Sequence, residues 1–261
     1  MEEKQGSLSS RLGVAERSSY PRISVVVPAR NEARNLYHVL PYIPSIVEEV
    51  ILVDGHSSDD TIEVARQLLP SICIVEQVGK GKGDALRAGF AACTGDIIVM
   101  LDADGSANPR EIPLFVGALL AGHDFAKGSR FIKGGGSHDI TFMRYFGNYL
   151  LNTLVNVLFF AKFSDLCYGY NAFWRHCLKN LAIECDGFEI ETLMHLQMHK
   201  ARFKIVEVAS FEHPRVHGES NLRTFRDGWR VLKTILSERT QRNLLLRKQN
   251  ASLIQAKPGK Y

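Results

Sequence analysis

Four short runs of mostly β-branched residues recur between residues 23 and 101, each separated from the next by a segment with helical character. They lie at residues 23–27, 50–53, 72–75 and 97–101. Runs this short and apolar indicate buried strands, and strands that alternate with helices build a parallel sheet. The sequence therefore predicts an α/β fold in which helices cover both faces of a mostly parallel sheet.

Three of these runs lead directly into chemically distinctive residues. Residues 28–32 follow the first run, Asp54 follows the second, and Asp102 follows the fourth, with Asp104 two positions later. In open sheets of this class, ligands bind beyond the carboxyl ends of the strands. We therefore expect these residues to converge on one crevice.

The pair Asp102 and Asp104 is the strongest candidate for a metal site. Carboxylate oxygens suit hard cations such as Mg²⁺ and Mn²⁺, which proteins often hold with few side chains plus substrate phosphates. Such an ion acts as a Lewis acid that neutralises a diphosphate leaving group. An Asp-x-Asp sequence alone is a weak signal because surface loops often contain it, so its position after a buried strand is what supports the metal interpretation.

Composition and cysteine use narrow the class of protein. The chain has 261 residues, of which 45% are hydrophobic and 23% charged, as in ordinary globular proteins. The five cysteines show no CxxC spacing, which disfavours a zinc site and a disulfide framework and favours a reducing compartment. No stretch reaches the roughly 20 apolar residues of a membrane-spanning helix. Because residues 1–19 also lack the apolar core of a signal peptide, we expect a cytoplasmic protein.

Eight short motifs follow one another in an order typical of one family. They are VVVPARNE at 25–32, ILVDGHSSD at 51–59, KGKGDA at 80–85, IVMLDAD at 98–104, GSR at 128–130, DLCYGY at 165–170, GFEIE at 187–191 and RVHGESNL at 215–222. Together they resemble the family 2 glycosyltransferases of the GT-A fold, and within them the dolichyl- and polyprenyl-phosphate sugar transferases. The resemblance implies a nucleoside-diphosphate sugar donor and a lipid-phosphate acceptor.

The resemblance also implies roles for individual residues. Its nucleoside contacts fall on Pro28, Ala29, Arg30, Glu32, Val53 and Asp54. Asp102, Ala103 and Asp104 match the donor and metal loop, with Asp104 as the direct ligand of Mg²⁺ or Mn²⁺ and Asp102 nearer the sugar or ribose. Arg130 and Arg215 match phosphate contacts, a role that suits guanidinium groups. His217 and Asn221 belong to the same C-terminal motif.

For two pairs of residues the sequence allows more than one role. Lys82 and Asp84 belong to or follow a Gly-rich stretch at 79–83, which we expect to be a flexible loop that either contacts the donor or faces solvent. Glu189 and Glu191 stand where a helix should begin, so either one serves as a general base or both stabilise the helix dipole. A lipid-phosphate acceptor is already ionised and needs no base.

Several positions depart from the family pattern. Arg30 stands where an aromatic residue is common, Asp54-Gly55-His56-Ser57 replaces the usual Asp-Asp-Gly-Ser, Ser106 stands where Gln is frequent, and Asn221 replaces a lysine. The last change removes a phosphate-binding charge. These departures affect the identity of donor and acceptor more than the class of reaction.

Three segments are predicted. Residues 1–20 form a flexible leader, residues 21–213 the GT-A nucleotide-sugar-binding and catalytic domain, and residues 214–261 a basic amphipathic helical segment on the acceptor side. From Arg215 to the C-terminus there are 11 Lys and Arg against 3 Asp and Glu. That charge fits phosphate groups or a phospholipid surface, or it belongs to a solvated helix face. Residues 145–163 are either buried core or a helix at a membrane surface.

The sequence therefore predicts a metal-dependent, inverting glycosyltransferase that moves a sugar from a nucleoside-diphosphate donor to a polyprenyl-phosphate-like acceptor. Two alternatives remain: the same donor chemistry with a soluble acceptor, or a nucleotide-sugar-binding protein without turnover. A peripheral contact with a membrane surface is expected with the lipid acceptor, and no nucleic-acid partner is expected.

Overall fold

Seven strands form the central sheet of the protein. The computed structural model describes residues 20–219 and 223–255, with side chains described through residue 240. The predicted leader, apart from Tyr20, and Asn221 lie outside the described residues. The strands are β1 (Ile23–Ala29), β2 (Glu49–Asp54), β3 (Cys73–Glu76), β4 (Ile97–Met100), β5 (Phe125–Ser129), β6 (Gly136–Ser137), β7 (Asn171–Trp174), β8 (Ile205–Ala209) and β9 (Phe211–Glu212), of which β6 and β9 form a separate small sheet.

The helices connect and cover these strands. They are α1 (Ala33–Leu36), α2 (Thr61–Leu68), α3 (Lys82–Ala92), α4 (Ile112–Leu120), α5 (Phe142–Phe159), α6 (Ile190–Lys200) and α7 (Thr224–Gln255), with short 3₁₀ helices at Leu40–Tyr42, Pro109–Glu111 and Arg175–Asn180. The long helix α7 packs against α5 and α6.

The central sheet has the strand order β3-β2-β1-β4-β7-β5-β8. All neighbouring pairs are parallel except those of β7, which runs antiparallel to both β4 and β5. Because β7 is reversed, its first residue, Asn171, pairs with Met100 at the end of β4. The segment that precedes β7 therefore enters at the same sheet edge as the carboxyl ends of β1, β2 and β4.

Both faces of the sheet are buried, as the sequence predicts. Alternate residues of a strand point to opposite faces, so Val25 and Val27 of β1 join one core while Val26 joins the other. Helices α1, α2 and α4 cover the first face, and α3 and α6 cover the second. The predicted α/β fold with a mostly parallel sheet is confirmed.

Helix α5 buries two asparagines together with part of its apolar stripe. Asn148 and Asn152 face inward together with Val155 and Phe159. The Nδ2 group of Asn148 donates to Asp165 at 3.1 Å, and that of Asn152 donates to the Ser164 carbonyl at 2.6 Å. The core interpretation of the leucine stripe holds for the partly buried residues Leu151, Leu154 and Leu158, which pack against this side. It is wrong for Leu150, which is exposed.

None of the helices in the described residues combines the length and the hydrophobicity that crossing a bilayer requires. The C-terminal helix α7 is continuous from Thr224 to Gln255.

Candidate active site

The carboxyl ends of β1 and β2 place the predicted nucleoside contacts side by side. Pro28 pairs with Val53 and Ala29 with Asp54 in the parallel register. The carboxylate of Asp54 is buried; its Oδ2 accepts a hydrogen bond from the Ser57 amide, and its Oδ1 has no partner among the described residues. Arg30 follows at the end of β1, beside Gly55, with an exposed side chain. The sheet edge therefore presents an unpaired, buried carboxylate oxygen next to β1.

Glu32, Asp104 and Arg215 meet above this edge. The guanidinium group of Arg215 forms an ion pair with Glu32 and lies 3.5 Å from Oδ2 of Asp104. The other Asp104 oxygen, Oδ1, accepts the Ser106 amide at 3.0 Å. Glu32 is also bound by the amide of Asn35. Residues predicted separately as a nucleoside contact, a metal ligand and a phosphate contact thus form one cluster.

The pKa of Glu32 is raised above its ordinary value. Burial is the main cause, and the charge of Asp104 adds to it, while the hydrogen bonds and charge of Arg215 and the Asn35 amide act in the opposite direction. A buried carboxyl group next to a second carboxylate needs a cation nearby to stay ionised. Arg215 supplies that charge to both.

Lys82 joins Asp102 to Glu191. Its ammonium nitrogen lies 2.6 Å from Asp102 Oδ1 and 2.7 Å from Glu191 Oε1, and the lysine and the glutamate side chains are almost fully buried. Burial lowers the pKa of Lys82, but the two carboxylates outweigh burial and raise it. Burial raises the pKa of Glu191 in spite of the lysine. Asp102 and Asp104 therefore face different cations, Lys82 and Arg215 respectively.

The predicted loop at 79–83 is wrong in its last two residues, because helix α3 already begins at Lys82, and only residues 79–81 lie outside it. Gly81 and Gly83 lie so close to the backbone of Cys185 and Asp186 that a Cβ atom at either would approach a carbonyl oxygen to 2.1 or 2.2 Å. The Gly83 amide donates to the Asp186 carbonyl at 3.0 Å. These contacts place the start of α3, and with it Lys82, directly against residues 185–186.

Arg87, which lies about one turn after Lys82 in α3, joins this helix to residues 183–186. Its Nη1 donates to the carbonyl groups of Ile183 and Cys185, and its Nη2 lies 2.7 Å from both Asp84 and Asp186. Asp84 also accepts the Gly79 amide. The structure thus uses Asp84 to shape the turn, and its predicted contact with the donor stays a prediction.

Gly169 lies against the ion cluster formed by Lys82, Asp102 and Glu191. A Cβ atom at this position would lie 2.7 Å from the Lys82 ammonium, 2.9 Å from Asp102 Oδ2 and 3.2 Å from Glu191 Oε1. A glycine is required here because these three charged groups fill the space that a side chain would take.

Arg130 is held by two carboxylates. Its guanidinium binds Asp165 through Nε and Nη2 at 2.7 and 2.9 Å and Glu212 through Nη1 at 2.9 Å, and it lies over the Tyr168 ring. The Arg130 guanidinium holds the pKa of Asp165 below its usual range although burial acts to raise it. The predicted phosphate contact of Arg130 remains a prediction, since a phosphate would have to share this group with Glu212 or Asp165.

Glu189 and Glu191 differ in their partners. Glu189 is 8% exposed, and its Oε2 has no hydrogen-bond partner within the described parts of the chain. Glu189 precedes α6, whereas Glu191 lies in the first turn of that helix and is paired with Lys82 through Oε1. Of the two predicted base candidates, Glu191 is thus tied to Lys82, and a base role for either stays a prediction.

The backbone of His217, more than its ring, ties it to the site. Its amide donates to Asn35 Oδ1 at 2.9 Å, and its carbonyl accepts from Asn35 Nδ2 and from Arg215 Nε. Its ring lies 5.7 Å from that of His38. Partial desolvation and the nearby charges of Arg34 and His38 lower the pKa of His217.

Sequence reasoning missed Asn35, Arg87 and Glu212 as parts of the site. Arg87 follows Lys82 by five residues, so its distance from a predicted site residue was a usable signal. Asn35 likewise follows the predicted contact Glu32 by three residues and donates to it, although its other partner, His217, is 182 residues away. Nothing in the local sequence marks Glu212, whose partner Arg130 is 82 residues away.

Asp104 fits a hard divalent cation in chemistry and in placement. Its carboxylate is one quarter exposed at the crevice and already faces a positive group. Among the described residues, no three His, Cys, Asp or Glu side chains form a cluster that could hold a metal ion. Mg²⁺ and Mn²⁺ sites of the kind that use one or two carboxylates plus substrate phosphates match this donor set.

Comparison with protein families matches residues 24–181 to a model described as Glycosyl transferase family 2. The low-salt glycan biosynthesis hexosyltransferase Agl6 of Haloferax volcanii is 30% identical over 225 residues, which are 83% of this chain and 53% of that protein. The dolichol-phosphate mannosyltransferase of Pyrococcus furiosus is 30% identical over 215 residues, 77% of this chain and 59% of that protein. The chain thus spans little more than half the length of these relatives.

Solved structures show the same fold. Glucosyl-3-phosphoglycerate synthase from Mycobacterium tuberculosis, in complex with Mn²⁺, UDP and glucosyl-3-phosphoglycerate, matches with a TM-score of 0.67 and 26% identity over 84% of this chain and 80% of that one. The synthase with Mn²⁺, UDP-glucose and phosphoglyceric acid matches with a TM-score of 0.69 at 26% identity and the same coverage. The predicted GT-A type of fold is confirmed by these matches.

Proposed function

Since the chain belongs to glycosyl transferase family 2, we propose that it transfers a sugar from a nucleoside-diphosphate donor, with inversion and with a divalent metal ion, to a polyprenyl-phosphate-like acceptor. One observation carries the proposal: Asp102 and Asp104 follow β4, and each faces its own cation, Lys82 or Arg215. Because the two carboxylates lie beside different cations at the end of one strand, they can contact two different parts of one donor.

The donor would lie along the carboxyl ends of β1, β2 and β4. Asp54 offers a buried, unpaired oxygen for a nucleoside group, beside Pro28 and Val53. Asp102, with Lys82 and Gly169, would face the sugar, while Asp104 would face the diphosphate. We assign the remaining nucleoside contacts to Ala29, Arg30 and Glu32 and the backbone of Ala103, by resemblance to the family.

Asp104 would hold Mg²⁺ or Mn²⁺, with Asp102 as the second carboxylate within reach. When bound, the ion supplies Lewis-acid neutralisation of the leaving diphosphate. The protein's own contribution is cationic: Arg215 stands 3.5 Å from Asp104 and can reach a phosphate group placed there. The named complexes of the related synthase, which hold Mn²⁺ with UDP or UDP-glucose, support this assignment.

We assign Arg130 and Glu189 to the acceptor side of the crevice. A phosphate acceptor is already ionised, so it needs a cation to bind it rather than a base, and Arg130 would be shared with it. A hydroxyl acceptor needs a base, and Glu189 has a buried carboxylate oxygen without a partner among the described residues. The name of the Pyrococcus furiosus relative includes a lipid phosphate, dolichol phosphate, which favours the first alternative.

An exposed apolar stripe supports a lipid acceptor at a membrane surface. We call it the apolar face of α5, formed by Phe142, Phe146, Tyr149, Leu150 and Val157, all of which are exposed. Lys133, Arg144 and Lys162 lie before, within and after this helix. Aromatic and aliphatic side chains beside basic ones are the composition of helices that lie in the interface of anionic membranes. We propose that this face contacts such a surface.

The same helix links that surface to the site. Asn148, on the opposite side of α5, binds Asp165, and Asp165 binds Arg130. A lipid phosphate presented at the membrane would thus arrive at the side of the molecule that carries Arg130.

A soluble acceptor is the second candidate. Two of the matching synthase structures are complexes with glucosyl-3-phosphoglycerate or phosphoglyceric acid, which are small anionic molecules. The fold match covers 84% of this chain, so a similar acceptor pocket is a reasonable alternative.

The test is nucleotide release from UDP-, GDP- and dTDP-sugars with Mn²⁺, measured with vesicles that contain polyprenyl phosphate, with matched vesicles that lack it, and with 3-phosphoglycerate. Stimulation by polyprenyl phosphate alone supports the proposal. Stimulation only by 3-phosphoglycerate replaces the lipid acceptor with a soluble one. Tight nucleotide-sugar binding without release under any condition would favour a binding protein without turnover.

A further inference from the structure

Residues 213–217 cross the donor loop as a strap. At one end the His213 amide donates to the Ser106 carbonyl at 2.8 Å, and further along the Val216 amide approaches the Asp104 carbonyl at 3.4 Å. At the other end the backbone of His217 is bound on both sides by Asn35. The strap is therefore fixed to the loop that carries Asp104 and to the segment after β1.

Arg215 sits in the middle of this strap and bridges two carboxylates. Its Nη2 is paired with Glu32 and its Nη1 lies 3.5 Å from Asp104, while its Nε donates to the His217 carbonyl at 2.7 Å. The Glu32 side chain is 8% exposed, Arg215 is 16% exposed and Asp104 is 25% exposed. Two negative charges thus share one positive charge in a partly desolvated place.

The two contacts of Arg215 are unequal. The contact with Glu32 is close and buried, whereas the one with Asp104 is at the outer limit of a hydrogen bond and more exposed. The guanidinium group is therefore held more strongly by Glu32 than by Asp104. A divalent cation that approaches Asp104 competes only for the weak contact.

We propose that Arg215 is a cation-released latch: its guanidinium group covers Asp104 until a divalent cation takes that carboxylate, whereupon Arg215 stays on Glu32 and only backbone hydrogen bonds hold the strap to the donor loop. The inference rests on the proposed metal site at Asp104. It adds that cation binding and strap position are coupled, and that Glu32 is the positioning residue that draws Arg215 away from Asp104.

The coupling predicts changes in cation affinity without any donor present. Free Mn²⁺ is measured by its electron paramagnetic resonance signal during titration of the full chain. Removing the competing charge with Arg215→Met should tighten Mn²⁺ binding about tenfold, within the usual range of coupling between competing ligands. Arg110→Met is the matched control, because Arg110 also follows the donor loop but stacks on Tyr42 at 4.7 Å.

Glu32 is tested by a double-mutant cycle. Glu32→Gln should weaken Mn²⁺ binding in the wild-type background, because Arg215 is left with Asp104 as its only carboxylate. In the Arg215→Met background the same change should weaken binding clearly less, since only the direct effect of the Glu32 charge on Asp104 is then lost. An equal loss in both backgrounds means that Glu32 acts only as a distant charge, and it overturns the latch.

Hydrogen exchange at the His213 and Val216 amides provides the second readout. Saturating Mn²⁺ should speed exchange at these amides in the wild type and leave the amides of β4 unchanged. If Arg215→Met and Arg110→Met change the Mn²⁺ affinity equally, or if exchange does not respond, the latch is wrong. If neither the wild type nor Arg215→Met binds Mn²⁺ without donor, the latch is wrong, while the metal site itself is tested by the Mn²⁺ dependence of nucleotide release. If Mn²⁺ binds and is lost in Asp104→Asn, but Arg215→Met has no effect, only the latch fails.

Discussion

The buried ammonium group of Lys82 lies 2.6 Å from Oδ1 of Asp102, the first aspartate after β4. The same nitrogen binds Glu191, so one cation serves two carboxylates in a desolvated place. A charge cluster of this kind is costly to disturb, because removing one member leaves the others buried and unpaired. Lys82 is thus a positioning residue for the donor site as well as an element of stability.

Lys82→Met should destabilise the protein by about 3 kcal/mol at neutral pH and abolish sugar transfer. Chemical denaturation compared with the wild type measures the first effect. Lys82→Arg, which keeps the charge, is the control and should recover most of the stability. Equal stability of the methionine variant and the wild type would show that the cluster contributes no net attraction.

The stability of Lys82→Met should also depend on pH in a defined direction. Burial raises the pKa of Glu191 in the folded protein above the ordinary value of 4.5, so its protonation favours folding. That contribution is fully present below the unfolded pKa and is lost as the pH rises through the folded one. Without Lys82 the folded pKa rises further. The stability deficit of Lys82→Met should therefore be smallest below pH 4.5 and grow above it, as measured by urea denaturation across pH.

Gly169→Ala should impair catalysis more than folding. Its Cβ would lie 2.7 Å from the Lys82 ammonium and 2.9 Å from Asp102, so these groups must move by several tenths of an ångström. A displacement of about 1 Å at a catalytic site costs on the order of a hundredfold in rate, so we expect a loss between about tenfold and a hundredfold in kcat. Gly117→Ala in α4 is the control, since nothing lies within 4 Å of its added Cβ. Equal activity of Gly169→Ala and Gly117→Ala would show that the Cβ atom added at residue 169 does not disturb Lys82 and Asp102.

Arg87→Ala should reduce kcat without abolishing nucleotide binding. The arginine joins α3 to residues 183–186 and thereby fixes Lys82 relative to Glu191. We expect a loss of about tenfold in kcat, with a smaller change in the KM for the donor. Arg66→Ala on α2 serves as the control. A change in KM alone would indicate that Arg87 acts on donor binding and not on the Lys82 cluster.

Phe146→Ser should weaken binding to anionic vesicles by about tenfold, because burial of a phenylalanine side chain is worth roughly 1.5–3 kcal/mol. Co-sedimentation with phosphatidylglycerol vesicles measures the effect. Leu114→Ser is the matched control, since Leu114 is also an exposed apolar residue but lies on α4. If both variants bind as the wild type does, the apolar face of α5 has another partner.

The sheet could be predicted from sequence because its strands are continuous apolar runs. Residues 23–27 and 97–101 match β1 and β4 closely, and the residues that follow them had to meet at one sheet edge. The periodicity of a buried strand is a local property, so no long-range information was needed.

The pairing within the site could not be predicted in the same way. Arg215 and Glu32 are 183 residues apart, and no local pattern shows that a predicted phosphate contact and a predicted nucleoside contact share an ion pair. The Gly-rich stretch predicts a flexible loop because glycine has wide backbone freedom. In the folded protein, Gly81 and Gly83 instead permit close contact with the backbone of Cys185 and Asp186.

Helix α5 shows a third limit. Its leucines favour a core position, and Leu151, Leu154 and Leu158 do pack against the core, whereas Leu150 is exposed. Asn148 and Asn152 are buried as well, because they find partners at Asp165 and Ser164. Hydrogen bonds to distant backbone and side-chain groups cannot be read from helical periodicity.

The metal-dependent role of Asp104 is tested most directly by the initial rate of nucleotide release from a nucleoside-diphosphate sugar, measured with Mn²⁺ and with EDTA for the wild type and for Asp104→Asn. We predict release that needs Mn²⁺ in the wild type and falls by at least about a hundredfold in the variant, because transition-state charge would lose its main counterion. Release that continues in EDTA, or that is unchanged in Asp104→Asn, would contradict the proposed mechanism.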